Sequence, residues 1–180
     1  MIDNMTLQFG SQILPGRLLT IAGFFYAISH GPILSVIIFT LSFLLWGFKF
    51  KIPAAWLLLS CLAGWFVVTI FSIVFTHHHL DSDSPYPVHA TFFSILLSNY
   101  LLLIIIPEIK AWYYRSLSQL GIIMYLFFVF IKAITTNSQT FSDALAGWIL
   151  ALLWLQICEW YYVKKAPWFY RFNGFRNSWY

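Results

Sequence analysis

The chain has 180 residues, of which 61% are hydrophobic, 21% aromatic and only 9% charged. A soluble domain carries about 25% charged residues, so this composition leaves too little polar surface to cover a water-soluble globule. The net charge of +4 is small and its basic residues are scattered among short segments, which marks them as topology determinants and excludes a nucleic-acid surface.

Residues 1–12 are polar and lack a basic stretch, so no cleavable signal peptide is expected. Apolar runs then recur at about 12–29, 33–49, 53–76, 89–106, 117–135 and 143–163. Each is long enough to cross a hydrocarbon layer of ~30 Å. Lipid offers the backbone no hydrogen-bond partner, so such runs are helices or strands of a closed barrel. Continuous rather than alternating apolarity selects helices. The expected fold is an all-α polytopic membrane bundle of about six transmembrane helices. It forms a single membrane domain over 1–180, with its core at 53–163 and a tail at 164–180.

The boundaries have local causes. Gly31-Pro32 is expected to break the first long run into a hairpin. Pro53 suits the first turn of the third helix, where a missing N–H costs little. Pro107 ends the fourth. Ser142-Asp143 caps the sixth, with Asp143 beside the positive end of the helix dipole. Cys61 and Cys158 both fall inside apolar runs without CxxC spacing and are expected as buried free thiols.

Threading six spans places Arg17, Lys49, Lys51, Lys110, Arg115, Lys164, Lys165, Arg171 and Arg176 on one side, nine of the ten basic residues. The positive-inside rule makes that side cytoplasmic, with both termini there. A bacterial inner membrane is the expected location. The other side receives Lys132 and all five histidines, His30, His77, His78, His79 and His89, together with Asp81, Asp83 and Asp143. Polar residues gather at any membrane interface, but ionisable groups at helix ends facing a bundle interior also mark functional sites.

Within that outward set, His89 opens the fourth span and Asp143 the sixth. A carboxylate that accepts from one imidazole nitrogen fixes the tautomer and raises the basicity of the other. Gly147, one turn after Asp143, favours close helix approach. The run His77-His78-His79-Leu80-Asp81-Ser82-Asp83 reads either as a hydrated interfacial loop or as a catalytic or metal-binding one. Adjacent helical residues point about 100° apart, so three consecutive imidazoles need a turn to share one ion. The loop 135–142 is polar enough to hydrogen-bond a lipid head group, and turn chemistry explains it equally.

These strings resemble the type 2 phosphatidic acid phosphatase superfamily. Tyr86-Pro87-Val88-His89-Ala90 sits where that family has Pro-Ser-Gly-His at the start of the fourth of six core helices. Ser142-Asp143-Ala144-Leu145-Ala146-Gly147 resembles the end of its Arg…His…Asp motif. The topological resemblance covers about residues 53–163. It implies a hydrolase of lipid phosphates or pyrophosphates, with no cofactor and no metal. By the family's logic His89 is the general acid, and Asp143 orients a nucleophilic His.

The chain departs from that pattern. Gln139 stands where the nucleophilic His belongs, and Ala133 where the Arg belongs, with Lys132 next to it. No Lys or Arg occurs from 52 to 109, so the family's earlier basic motif is missing. The expected site therefore comprises His89, Asp143 and His79 in catalytic roles, and Lys132, His78 and Asn137 in substrate binding. The leading expectation is a divergent phosphatase-like protein that handles a phosphorylated membrane lipid, catalytically impaired or active. The rival is a non-enzymatic accessory subunit of a membrane protein complex, docked through its aromatic helices. The tail from Lys164 onward interleaves basic and aromatic residues, which suits an anionic cytoplasmic leaflet or a partner protein.

Overall fold

The computed structural model describes residues 16–29, 31–76, 89–135, 141–169 and 171. All regular structure among them is helical. We number the helices α1 (Gly16–Ile28), α2 (Gly31–Gly47), α3 (Lys51–Thr76), α4 (His89–Glu108), α5 (Trp112–Thr135) and α6 (Phe141–Phe169).

Four of these, α3 to α6, are each long and apolar enough to cross a membrane. At 1.5 Å per residue each spans about 30 Å or more. With 13 and 17 residues, α1 and α2 reach only about 20 and 26 Å. They do not form the hairpin expected at Gly31-Pro32. The two helices are instead bent by 61° across a short break, so the pair counts as one broken span or as a re-entrant loop. Among the described residues, four helices are long and apolar enough to cross, or five with the bent pair as one span; six separate crossings are not confirmed. Gly31 stands at the break with φ 55°, a left-handed backbone that glycine adopts at little cost.

Contacts along the helices give their directions. Ser60 meets Tyr100 through their hydroxyls at 2.7 Å, and Gly64 faces the ring of Phe92, so α3 and α4 are antiparallel. Trp154 Nε1 donates to the carbonyl of Ser60 at 3.0 Å, and Trp56 packs edge-on against Tyr162, so α3 and α6 are antiparallel as well. It follows that α4 and α6 run parallel, and both begin at one end of the bundle. We call this the His89 end, and the other the Lys51 end.

The path of α1 is the informative one. Phe25 stacks on Phe128 with centroids 5.5 Å apart. The Ser29 and Tyr125 hydroxyls lie 2.6 Å apart, and a methyl group on Gly23 would sit 4.0 Å from Lys132 Cε. Moving up α1 therefore moves down α5. Since α5 finishes at the His89 end, α1 starts there. Ser42 donates to the carbonyl of Ala54 at 3.0 Å, which seats the far part of α2 beside the start of α3. α1 thus runs away from the His89 end along α5, and α2 ends beside the start of α3.

The turn between α2 and α3 closes the Lys51 end. Phe50 N–H donates to Leu45 O at 2.9 Å and Lys49 N–H to Trp46 O at 3.3 Å, the paired bonds of a Schellman cap. Lys49 takes the left-handed position with φ 69°.

The centre of the bundle is α4. Thr91, Phe92, Ser94, Ile95, Leu96, Leu97 and Ser98 are all buried, and α6 packs along it, with Ala144, Gly147 and Ala151 among its own buried residues. Small side chains on the facing helices permit close approach where lipid supplies no hydrophobic drive. The outer surface is apolar, with Phe43, Leu62, Ile73 and Ile123 each 59–73% exposed. Water would not tolerate apolar surface on this scale, but it is the ordinary outer face of a bilayer protein. The chain is a helical membrane protein.

Near its end α4 widens into a π-helical segment, Leu101–Ile105, just before Pro107. Proline has no N–H and crowds the preceding turn, and the wider turn accommodates it. Cys61 and Cys158 are buried free thiols.

Candidate functional site at the His89 end

His89 is the first residue of α4. It is half-buried, with its Nε2 shielded from solvent. Asp143 is the third residue of α6 and is only 8% exposed. Their helices pack side by side and in parallel, so both side chains fall at the same end of the bundle. An ionised carboxylate is costly to bury alone, and the first turn of α6 offsets that cost with its free N–H groups and dipole.

Lys132 lies in the last turn of α5. The ring of Phe130 packs against Phe141 at 5.8 Å and Trp148 at 5.4 Å, which fixes the final turns of α5 against the first two of α6. Lys132 follows two residues later, and its stem passes over Gly23 of α1. Three of the six expected site residues, His89, Lys132 and Asp143, are thus gathered at one end. The other three, His78, His79 and Asn137, lie outside the described residues, as do His30, His77, Asp81, Asp83 and Gln139. Among the described residues no group of three or more His, Cys, Asp or Glu side chains is arranged to hold a metal ion.

Beneath these groups runs a chain of hydroxyls that the sequence reading missed. Tyr125 donates to Ser94 Oγ at 3.2 Å, and Ser94 donates to the carbonyl of Ala90 at 2.6 Å. Ser29, 1% exposed, meets the Tyr125 hydroxyl from the other side. The chain ties α1, α5 and α4 together about one turn below His89. Serine and tyrosine in apolar runs carry no periodic signal, so nothing in the sequence linked residues 29, 94 and 125.

A cleft of about 430 Å³ opens beside His89 between α2, α3 and α4. At the Lys51 end a second groove of about 690 Å³ lies between α3, α4 and α6, with Asn99, Gln156, Glu108 and Glu159 on its walls. Glu159 is exposed there rather than enclosed. Trp56 Nε1 is buried in that region with no acceptor within reach among the described residues.

Comparison with protein-family models, curated proteins and solved structures gives no match. The site is therefore read from its own residues.

Proposed function

We propose that this protein binds the phosphate head group of a membrane lipid at the His89 end of its bundle, in the manner of a divergent lipid phosphatase. The observation that carries the reading is the meeting, at one end, of the parallel starts of α4 and α6, bearing His89 and Asp143, with the last turn of α5, bearing Lys132.

The chemistry follows from the residue types. Lys132 supplies the cation that a phosphate needs, in a setting where water screens it weakly. His89 donates a hydrogen bond to a phosphate oxygen, or a proton to a leaving alcohol. Asp143 orients a basic partner, as a carboxylate does beside an imidazole. Hydrolysis also needs a nucleophile. Gln139 does not supply one, so turnover depends on His79 as the nucleophile. Binding is accordingly the primary activity in this reading, and hydrolysis the conditional one.

The charge distribution supports an orientation. Lys49, Lys51, Lys110, Arg115, Lys164, Lys165 and Arg171 belong to the Lys51 end, which the positive-inside rule makes cytoplasmic. The His89 end then faces outward. The direction of α1 adds Arg17 to that outward end and favours five crossings, with residue 16 outside and residue 171 inside.

Purified protein should bind phosphatidic acid at least about tenfold more tightly than diacylglycerol, the worth of one charge-assisted contact. His89→Ala and Lys132→Gln should each remove most of that preference. Equal affinity for the two lipids would refute the reading. Release of inorganic phosphate, lost on His79→Ala, would establish turnover.

A further inference from the structure

We infer that the cleft between α2, α3 and α4 holds one hydrocarbon chain of the lipid whose phosphate sits at His89, and that its floor limits the length of that chain. The inference rests on the head-group reading above and adds what the rest of the ligand must be.

The cleft reaches the site at His89. His89 and Gly31 stand at its mouth, and Leu34, Leu62 and Phe93 line its walls. Ile38 of α2 and Leu58 and Cys61 of α3 line the part of the cleft away from His89. From Gly31 to Phe39 is eight residues, or about 12 Å of helix. The 61° bend accounts for the space. It carries α1 away to pack on α5, while α2 leans on α3, so no helix fills the wedge below His89.

The few polar groups are already engaged. Ser35 donates to the carbonyl of Gly31 at 3.4 Å, and Ser29 meets Tyr125. What remains is a mainly apolar channel with the imidazole of His89 at one end and the thiol of Cys61 towards the other. That polarity matches an amphiphile with a phosphate at one end and a hydrocarbon chain at the other. The cleft is also open sideways, since Phe39, Leu62 and Trp65 are 50–66% exposed. At this depth the surrounding solvent is acyl chain, so a lipid tail enters without crossing water.

The test uses monoalkyl phosphates from butyl to hexadecyl with purified full-length protein in a sterol-based detergent, whose rigid tail does not mimic one alkyl chain. Affinity should rise by about fourfold per methylene while the chain fills the cleft, then level off. Cys61→Phe should move the plateau to shorter chains and leave butyl phosphate unaffected. An unchanged chain-length profile in that variant would overturn the inference.

The matching alkyl alcohols separate the two claims. If alcohols bind as well as phosphates but their plateau still moves with Cys61→Phe, the chain site stands and the head-group reading fails. A second measurement avoids any folding defect. In a Cys158→Ser background, hexadecyl phosphate should slow alkylation of Cys61 by N-ethylmaleimide at least tenfold, and butyl phosphate should not. Equal rates would overturn the chain site.

Discussion

The hydroxyls of Ser29 and Tyr125 meet at 2.6 Å although 96 residues separate them in the chain. This contact, with the stacked rings of Phe25 and Phe128 beside it, sets α1 against α5 and turns the first two helices into one bent path. Tyr125→Phe removes the only hydroxyl that bridges α1 to Ser94 among the described residues. The loss is moderated because Ser29 and Ser94 keep carbonyl acceptors, Phe25 O and Ala90 O. The cost should be about 1 kcal/mol, read as a lower Tm in detergent. Tyr125→Ala should cost several times more, since it also removes the ring.

Gly64 is a packing requirement. A methyl group there would lie 3.1 Å from Phe92 Cε1 and 3.1 Å from Trp154 Nε1, and Phe92 is wholly buried. Gly64→Ala gains about 1 kcal/mol of helix propensity but overpacks by about 1–3 kcal/mol. Net destabilisation is expected. It should come with a shift in tryptophan fluorescence as the bond from Trp154 to Ser60 O lengthens.

Lys49 holds a left-handed backbone at the cap of α2, where the missing glycine costs about 1 kcal/mol. Lys49→Gly should raise the Tm. Lys49→Ala should not, because alanine meets the same steric cost. Equal effects of the two substitutions would show that the charge, not the backbone, governs this position.

Lys132 and Gly23 make a paired test of the site. A methyl group on Gly23 would stand in ordinary contact with Lys132 Cε at 4.0 Å, so Gly23→Ala should keep phosphatidic acid binding while stabilising α1. Lys132→Gln should lower that binding about tenfold. Titration of both variants by lipid-vesicle binding checks the contrast.

The direction of α1 is open to direct measurement. With Arg17→Cys or Lys164→Cys introduced singly, a membrane-impermeant maleimide applied to intact cells should label the first and spare the second. Cys61 and Cys158 lie inside the apolar spans α3 and α6, which an impermeant reagent does not enter, and should stay silent. Labelling of neither or of both would place the two positions on one side, as a re-entrant α1–α2 pair requires.

The helical membrane character was legible in the sequence because continuous apolar runs have one structural solution in lipid. All six helix starts fall within about five residues of their expected positions, and Pro53 lies in the first turn of α3 as expected, whereas α6 begins at Phe141, one residue before the Ser142-Asp143 pair expected to cap it. What was not legible is how α1 meets α2. Gly31-Pro32 announces a break, but a break sets no angle, and the angle here comes from contacts to residues 125–132. The same holds for the site. His89 and Asp143 were visible as helix starts, and Lys132 as a charge out of place. The cleft beside them was invisible, because it is an absence of packing created by that same bend.

The π-helical segment of α4 has a consequence for how this chain tolerates change in length. A π turn is an α turn holding one extra residue. Removing one of Leu101–Ile105 would close it to an ordinary turn and leave Phe92 and Leu96 on one side, and Ile106 on the other, facing as they do now. A deletion elsewhere in α4 would swing every later side chain by about 100° and turn the buried face outward. The helix thus carries a spare residue at a single place, and length variants of this protein should concentrate there.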